Sequence, residues 1–189
     1  MEGSLCAFLD ASVLYPASLR NLLMGLTVNG LFQARWSAHV HEEWIRALRR
    51  DRPDIPLERL KRVRALMDRE AEDSLVTGYE GLIMGLNLPD PDDRHVLAAA
   101  IVGRANVIVT RNLRDFPAEI LATYGIAAQH PDEFVRHLID VSPVLVVDTV
   151  REQQSNLLKP PVTLAELLAI FERVGLVETV VELRRLIAI

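Results

Sequence analysis

Apolar positions along the chain alternate between two spacings. Leu5 to Leu9 is a short uninterrupted apolar run that stops at Asp10, the form of a strand buried on both faces. Leu19, Leu22, Leu23 and Leu26 recur at helical spacing and predict a helix over 17–31. Val40, Trp44, Ala47 and Leu48 predict a second helix over 40–50. Pro53 and Pro56 then break the chain, and Leu60, Val63 and Met67 carry a third helix over 57–72. The stretch 74–86 predicts a short strand, at 75–76 or at 82–84. Asp90-Pro91 opens a helix whose core face is Val96, Leu97, Ala100 and Ile101. Asn106 to Val109 reads as a buried strand, 116–124 as a helix, 126–128 as a brief strand, and 131–139 as a helix with proline at its first position.

Strands alternating with helices predict an α/β fold built on a parallel, doubly wound sheet. The tail is different. Residues 153–161 are polar and end in a double proline, which reads as a linker. Thr163 and Glu166 form a capping box ahead of a helix over 164–173, and Gly175 stands where a helix-ending glycine belongs. A last helix over 176–189 is apolar at Leu176, Val180, Leu183 and Ile187. The expected division is a main α/β unit over 1–140 and a linker with a C-terminal helical hairpin over 141–189. Such a hairpin must cover its apolar faces on the main unit or on a partner.

Composition narrows the class. Half the residues are apolar and a quarter are charged, as in globular proteins. No apolar run approaches the roughly 20 residues of a membrane span, so no membrane association is expected. Cys6 is the single cysteine, which leaves no internal disulfide and no cysteine-based zinc site. With no basic leader at the N-terminus, the expected compartment is the cytoplasm. Net charge is −5, but its distribution is uneven. Residues 44–69 hold nine basic and four acidic side chains, a local +5 that leaves −10 on the rest. Nearly all these cations are arginines, which grip phosphate oxygens with paired hydrogen bonds. The run is either a solvated face laced with ion pairs or a guide for a polyanion.

Several chemistries are excluded by missing motifs. The chain has no G-x-x-x-x-G-K-[ST], no G-x-G-x-x-G after the first strand, no G-x-S-x-G and no H-E-x-x-H. His39 and His41 fall on different faces of one helix, and His95 and His130 flank helix starts. What remains is acids at strategic places. Asp10 ends the first strand, and Thr110, Asn112 and Asp115 follow the strand 106–109. In open α/β sheets, ligands bind outside the carboxyl ends of strands, so these positions can share one crevice. Asp90, Asp92 and Asp93 open the helix before that strand, and Glu42 and Glu43 lie on the helix after Ser37. Glu43 stands one step before Trp44, at the border of the buried face. Converging carboxylates repel unless a cation fills the cluster, and an all-oxygen donor set selects Mg²⁺ or Mn²⁺. Singly, each acid has a plainer role. Asp10 can bind backbone amides at a turn, Asp90 can cap the helix before Pro91, and Asp115 can cap the next one.

The order of four segments adds a resemblance. They are Phe8-Leu9-Asp10-Ala11-Ser12-Val13-Leu14-Tyr15-Pro16, then Val40-His41-Glu42-Glu43-Trp44, then Leu88 to Ala100, then Val107 to Pro117. Together the chain resembles a PIN-domain ribonuclease of the type found in the VapC toxins of bacterial toxin–antitoxin pairs. The likeness runs from about Leu5 to about Leu138, and the tail resembles an extra helical segment of larger VapC-type proteins. It implies a PIN-like parallel α/β/α sandwich and a catalytic quartet of Asp10, Glu43, Asp93 and Asp115, supported by Asp90, Thr110 and Asn112. Many family members carry an aspartate at the position of Asn112, and here Asp115 supplies the carboxylate. It also implies Mg²⁺ or Mn²⁺ held by Asp10, Asp93 and Asp115, an RNA substrate, a cognate antitoxin and a homodimer. Arg46, Arg49, Arg50 and Arg62 are then the candidate RNA contacts. The alternatives are a PIN-like DNA-directed nuclease and a catalytically silent PIN-like binding module. A haloacid-dehalogenase-like phosphatase needs a second Asp where this chain has Ser12.

Overall fold

The computed structural model describes residues 5–158 and 160–188. Its central strand is β1 (Cys6–Leu9), buried at every position as its apolar run requires. Asp10 ends it and caps α1 (Ala11–Leu14). Next, α2 (Ala17–Val28) buries its four predicted leucines and gives way at Gly30, where φ is +78°. Then come β2 (Gln33–Ser37), α3 (Ala38–Asp51), α4 (Leu57–Glu70), β3 (Leu75–Val76) and α5 (Glu80–Ile83). A 3-10 turn at Pro91–Asp93 leads into α6 (Arg94–Val102) and β4 (Val107–Val109). A second 3-10 turn, Leu113–Asp115, precedes α7 (Ala118–Leu121) and β5 (Ala127–Gln129). The chain continues through α8 (Pro131–Val141), α9 (Pro143–Ser155), α10 (Leu164–Arg173) and α11 (Val177–Ile187).

The strands form one five-stranded sheet in the order β3-β2-β1-β4-β5, and every neighbouring pair is parallel. The α/β class and its parallel sheet follow the prediction. From β1 the chain winds out through β2 and β3, then returns to the other side of β1 with β4. The winding reverses between β1 and β4, which makes the carboxyl ends of those strands the natural ligand crevice. Pairing of Leu9 with Val109 sets the register there, so Asp10 and Thr110 leave the sheet side by side.

Some elements differ from the periodicity. β2 has no predicted counterpart, because Gln33 and Arg35 interrupt its apolar pattern. Arg35 lies along the sheet rim and donates through Nε to the Gly103 carbonyl at 3.3 Å. Of the two candidate strands in 74–86, the first forms and 80–83 is helical. The helix expected over 116–124 is split, since Pro117 starts α7 late and a 3-10 turn at Ala122–Tyr124 ends it at Gly125. The predicted linker begins inside a helix, because α9 runs from Pro143 through Ser155. The capping box at Thr163 and Glu166 forms as predicted.

The closing helices are fastened to the sheet-bearing body at defined points. Gly25 on α2 lies so near α9 that a Cβ there would stand 2.7 Å from Thr149 Cγ2. Asp132 on α8 accepts from the Glu178 and Thr179 amides at 2.9 and 2.8 Å, capping α11 from another element. Arg111, in the loop after β4, donates to the Val174 carbonyl at the end of α10. Among the described residues, no helix is long and apolar enough to cross a membrane.

Candidate active site

Asp10 is buried at the crevice and held by three donors. Its Oδ1 accepts from the Ala11 amide at 2.7 Å, and its Oδ2 accepts from Ser12 Oγ at 2.6 Å and Thr110 Oγ1 at 2.8 Å. Capping and ligation are compatible here, because a carboxylate has about four acceptor sites and three are used. The loop after β4 is tied to the same cluster. Ser12 Oγ accepts from the Arg111 amide at 3.1 Å, and Thr110 Oγ1 accepts from the Asn112 amide at 3.0 Å. Thr110 thus orients Asp10 and shapes the loop at once. The Asn112 side chain is exposed.

Asp93 reaches the crevice from α6. The buried run Val96 to Ala100 seats that helix against the sheet, and the preceding 3-10 turn ends with Asp93 at the helix N-cap. Its side chain makes no capping bond, so the carboxylate is left facing the cluster. Burial, then the charges of Asp10, Asp115, Asp90 and Glu43, push the Asp93 carboxyl up to about 7. Four carboxylates therefore bear on Asp93 at one end of the sheet. Asp90 is exposed and caps the turn by accepting from the Asp92 amide at 2.9 Å. Asp115 is half-buried at the end of the second 3-10 turn. Of the two neighbouring glutamates, Glu43 turns to the cluster, while exposed Glu42 lines a cleft between α3 and α4.

Glu43 brings two histidines with it. His95 Nε2 lies 3.1 Å from Glu43 Oε1, and His39 Nε2 lies 4.0 Å from the same oxygen. Sequence reasoning takes His95 as the flank of a helix start and sets His39 aside for want of a zinc motif. The available signal was the i, i+4 spacing of His39 and Glu43 on α3. His41, by contrast, is fully buried away from the cluster and bridges Asp68 (3.1 Å) and Trp44 Nε1 (3.0 Å).

The donor set suits a hard divalent ion. Among the described residues, Asp10, Asp90, Asp93 and Asp115 have no arginine or lysine ion-pair partner. Their mutual repulsion is uncompensated by the protein, and oxygen ligands of this kind match Mg²⁺ or Mn²⁺.

The arginines divide into three groups. Arg46 and Arg49, with Lys61 and Arg64, line an apolar-floored cleft of about 370 Å³ between α3 and α4. Arg50 lines a second cleft, beside Ser12, Glu43, Arg111 and Asn112, and pairs with Asp51 at 2.8 Å. Arg62 is exposed on α4 and lines neither. The reading as a solvated face laced with ion pairs accounts for part of the basic run. The acids Asp51, Asp54, Glu58 and Asp68 each engage a cation, and Arg69 pairs with Glu70. Among the described residues, Arg46, Arg49, Arg59 and Arg62 stay without a carboxylate partner.

Comparison with known proteins agrees with this geometry. A PIN-domain family model matches residues 6–114, and a model described as the VapC50 C-terminal domain matches residues 131–185. A protein of Mycobacterium tuberculosis (strain ATCC 25618 / H37Rv) named "Putative ribonuclease VapC50" is 41% identical over 86 residues. That match covers 46% of this chain and 50% of the relative, so it spans about half the length of each. No solved structure matches the chain. With the sheet, its switch point and the crowded carboxylates in place, and the family model spanning more than half of the residues, the chain belongs to the PIN-domain family.

Proposed function

We propose that the protein is a metal-dependent endoribonuclease that hydrolyses RNA phosphodiesters and acts as a toxin restrained by a cognate antitoxin. The observation that carries this reading is the crowding of Asp93 by Asp10, Asp115, Asp90 and Glu43 without a cationic partner. Asp10, Asp93 and Asp115 would hold Mg²⁺ or Mn²⁺. When bound, the ion supplies a water of lowered pKa and braces a phosphoryl oxygen. Asp10 is fixed for this by Ser12 and Thr110, and the fourth acceptor site on its carboxylate stays open. Glu43 has one oxygen engaged by His95, which leaves Oε2 to orient the attacking water and take its proton. Arg50 and Arg111, which line the adjoining cleft, would meet the phosphates on either side of the scissile bond. Arg46, Arg49 and Arg62 would steer the strand toward an otherwise repulsive crevice.

The named relative supports ribonuclease chemistry, and the match of the closing helices to a VapC50 C-terminal domain supports the toxin-type assignment. The antitoxin, a homodimer and a cytoplasmic location belong to the same proposal. The test is cleavage of labelled single-stranded RNA by wild type, Asp10→Asn and Asp93→Asn, with Mg²⁺ or Mn²⁺ and then with EDTA. Metal-dependent cleavage should fall roughly a hundredfold or more in both variants and vanish in EDTA. Equal traces from all three proteins would overturn the assignment. Cleavage confined to a matched single-stranded DNA would replace RNA by DNA as substrate.

A further inference from the structure

Glu43 has to be held in the crevice against repulsion. Its charge bears on Asp93, and among the described residues no arginine or lysine pairs with it. A glutamate side chain is long and rotatable, and neighbouring acids favour a rotamer that swings it out into water. One bond opposes this. His95 Nε2 lies 3.1 Å from Glu43 Oε1, and because a carboxylate only accepts, Nε2 donates. His39 Nε2 stands 4.0 Å from the same oxygen, beyond hydrogen-bond reach, so the bond belongs to His95.

His95 has no other use for its polarity. The residue is 3% exposed, and its Nδ1 is buried with no hydrogen-bond partner among the described residues. The apolar run Val96 to Ala100 follows it into the core. An apolar side chain at position 95 would extend that run and leave no nitrogen unpaired. His41 is the structural counterexample in the same protein, with both ring nitrogens engaged, by Asp68 and Trp44. The imidazole of His39 lies over that of His95, with centroids 3.8 Å apart and planes 19° from parallel. His39 is 45% exposed at its side chain, so it is the outer ring and covers a face of the inner one.

Resting on the nuclease reading above, we infer that His95 is a positioning residue of that centre: it holds Glu43 by Oε1, under the cover of His39, and so fixes the other carboxylate oxygen beside Asp93. The bond ties α3 to α6. Asp93 is the N-cap of α6 and His95 lies in its first turn, so one helix end sets the places of two acids, one directly and one through a ring. Without the bond Glu43 keeps its carboxylate but turns freely. A proton acceptor displaced by about 1 Å loses on the order of a hundredfold in rate.

The experiment separates holding Glu43 from filling space. Cleavage of single-stranded RNA by wild type, His95→Leu and His95→Gln is followed in Mg²⁺ or Mn²⁺, with kcat and KM taken separately. Leu fills the space without a donor, whereas Gln carries an amide nitrogen as many bonds from the backbone as imidazole Nε2. His95→Leu should lower kcat about tenfold to a hundredfold and change KM by less than about twofold. It should melt no lower than wild type, because it removes the unpaired nitrogen. His95→Gln should recover most of the lost kcat. An unchanged kcat in His95→Leu, or a His95→Gln no better than His95→Leu, would overturn the positioning role and leave the nuclease reading standing. A second measurement needs no buried variant to fold. Long-range ¹H–¹⁵N NMR of wild type in Mg²⁺ buffer locates the proton of the His95 ring. It should sit on Nε2, and it should exchange with water faster in His39→Ala, a change at a surface residue. A proton on Nδ1 with Nε2 bare would overturn the role whatever the kinetics. Wild type without any metal-dependent cleavage would remove the nuclease reading, and the positioning role with it.

Discussion

Asp93 shows what crowding does to a single carboxyl group. An ordinary aspartate titrates near 3.9, whereas burial and four neighbouring acids hold this one near 7. Between those values the folded protein binds a proton that the unfolded chain does not. The stability gained from that proton is complete below about pH 4 and is lost as pH rises through about 7. Replacing Asp93 by Asn removes the dependence. In EDTA, Asp93→Asn should therefore melt higher than wild type at pH 8, by the equivalent of ~1–2 kcal/mol after solvent screening of a half-buried group. The two melting curves should draw together near pH 4. A gap that stays constant across the range would show that the repulsion among these acids is absent. A divalent ion would supply the missing counter-charge and reverse the sign of the effect, because it binds only the carboxylate form.

At the scale of elements, the closing helices depend on a few polar fastenings. Asp132 satisfies two amides at the first turn of α11, a task usually done by a residue of the helix itself. Asp132→Ala should lower the urea midpoint by the equivalent of ~1–3 kcal/mol. It should also speed hydrogen exchange at Glu178 and Thr179 more than in β1. Uniform acceleration across the chain would instead indicate general destabilisation. These fastenings explain what could be read from the sequence and what could not. β1 and β4 carry pure apolar signals because they are buried in the middle of the sheet, α2 and α6 each carry a buried apolar helical face, and the periodicity finds all four. β2 escapes because Arg35 lays its polar end along the rim. α9 escapes because Val144 and Leu145 stay exposed beside buried Val146, which blurs its stripe. In the crevice, Asp10, Asp93 and Asp115 stand at element ends, where a carboxylate with no core to fill invites a chemical reading. His95 sits inside a buried apolar run, and only the third dimension brings it to Glu43.

The whole molecule separates charge in space. The basic run on α3 and α4 lies next to an acidic crevice in a chain of net charge −5. Local pairing consumes part of that basic charge and, among the described residues, leaves Arg46, Arg49, Arg59 and Arg62 without a carboxylate partner. If these arginines meet a polyanion, binding must release counterions, and salt will weaken it with a definite slope. In an Asp10→Asn background, which silences cleavage, affinity for single-stranded RNA should fall linearly on a log–log plot against salt. The Arg46→Ala/Arg49→Ala double variant should flatten that slope by about 1.4, at ~0.7 per phosphate contact. Arg136→Ala, which removes a cation already paired with Asp140, should leave it unchanged. An unaltered slope in the double variant would move the nucleic-acid path off α3 and α4.

The hydrogen bond from Thr110 to Asp10 joins residues one hundred positions apart. During synthesis at roughly 5–20 residues per second, Asp10 leaves the ribosome about 5–20 s before its partner does. The Arg111 link to Val174 postpones completion by a further sixty-three positions. No nascent fragment that ends before Asp115 can hold the whole acidic set, and one that ends before Val174 lacks a fastening of the loop beside it. Any activity housed there waits for β4 to be made and to pair with β1, a delay written into the strand order and available to whatever must intercept the protein.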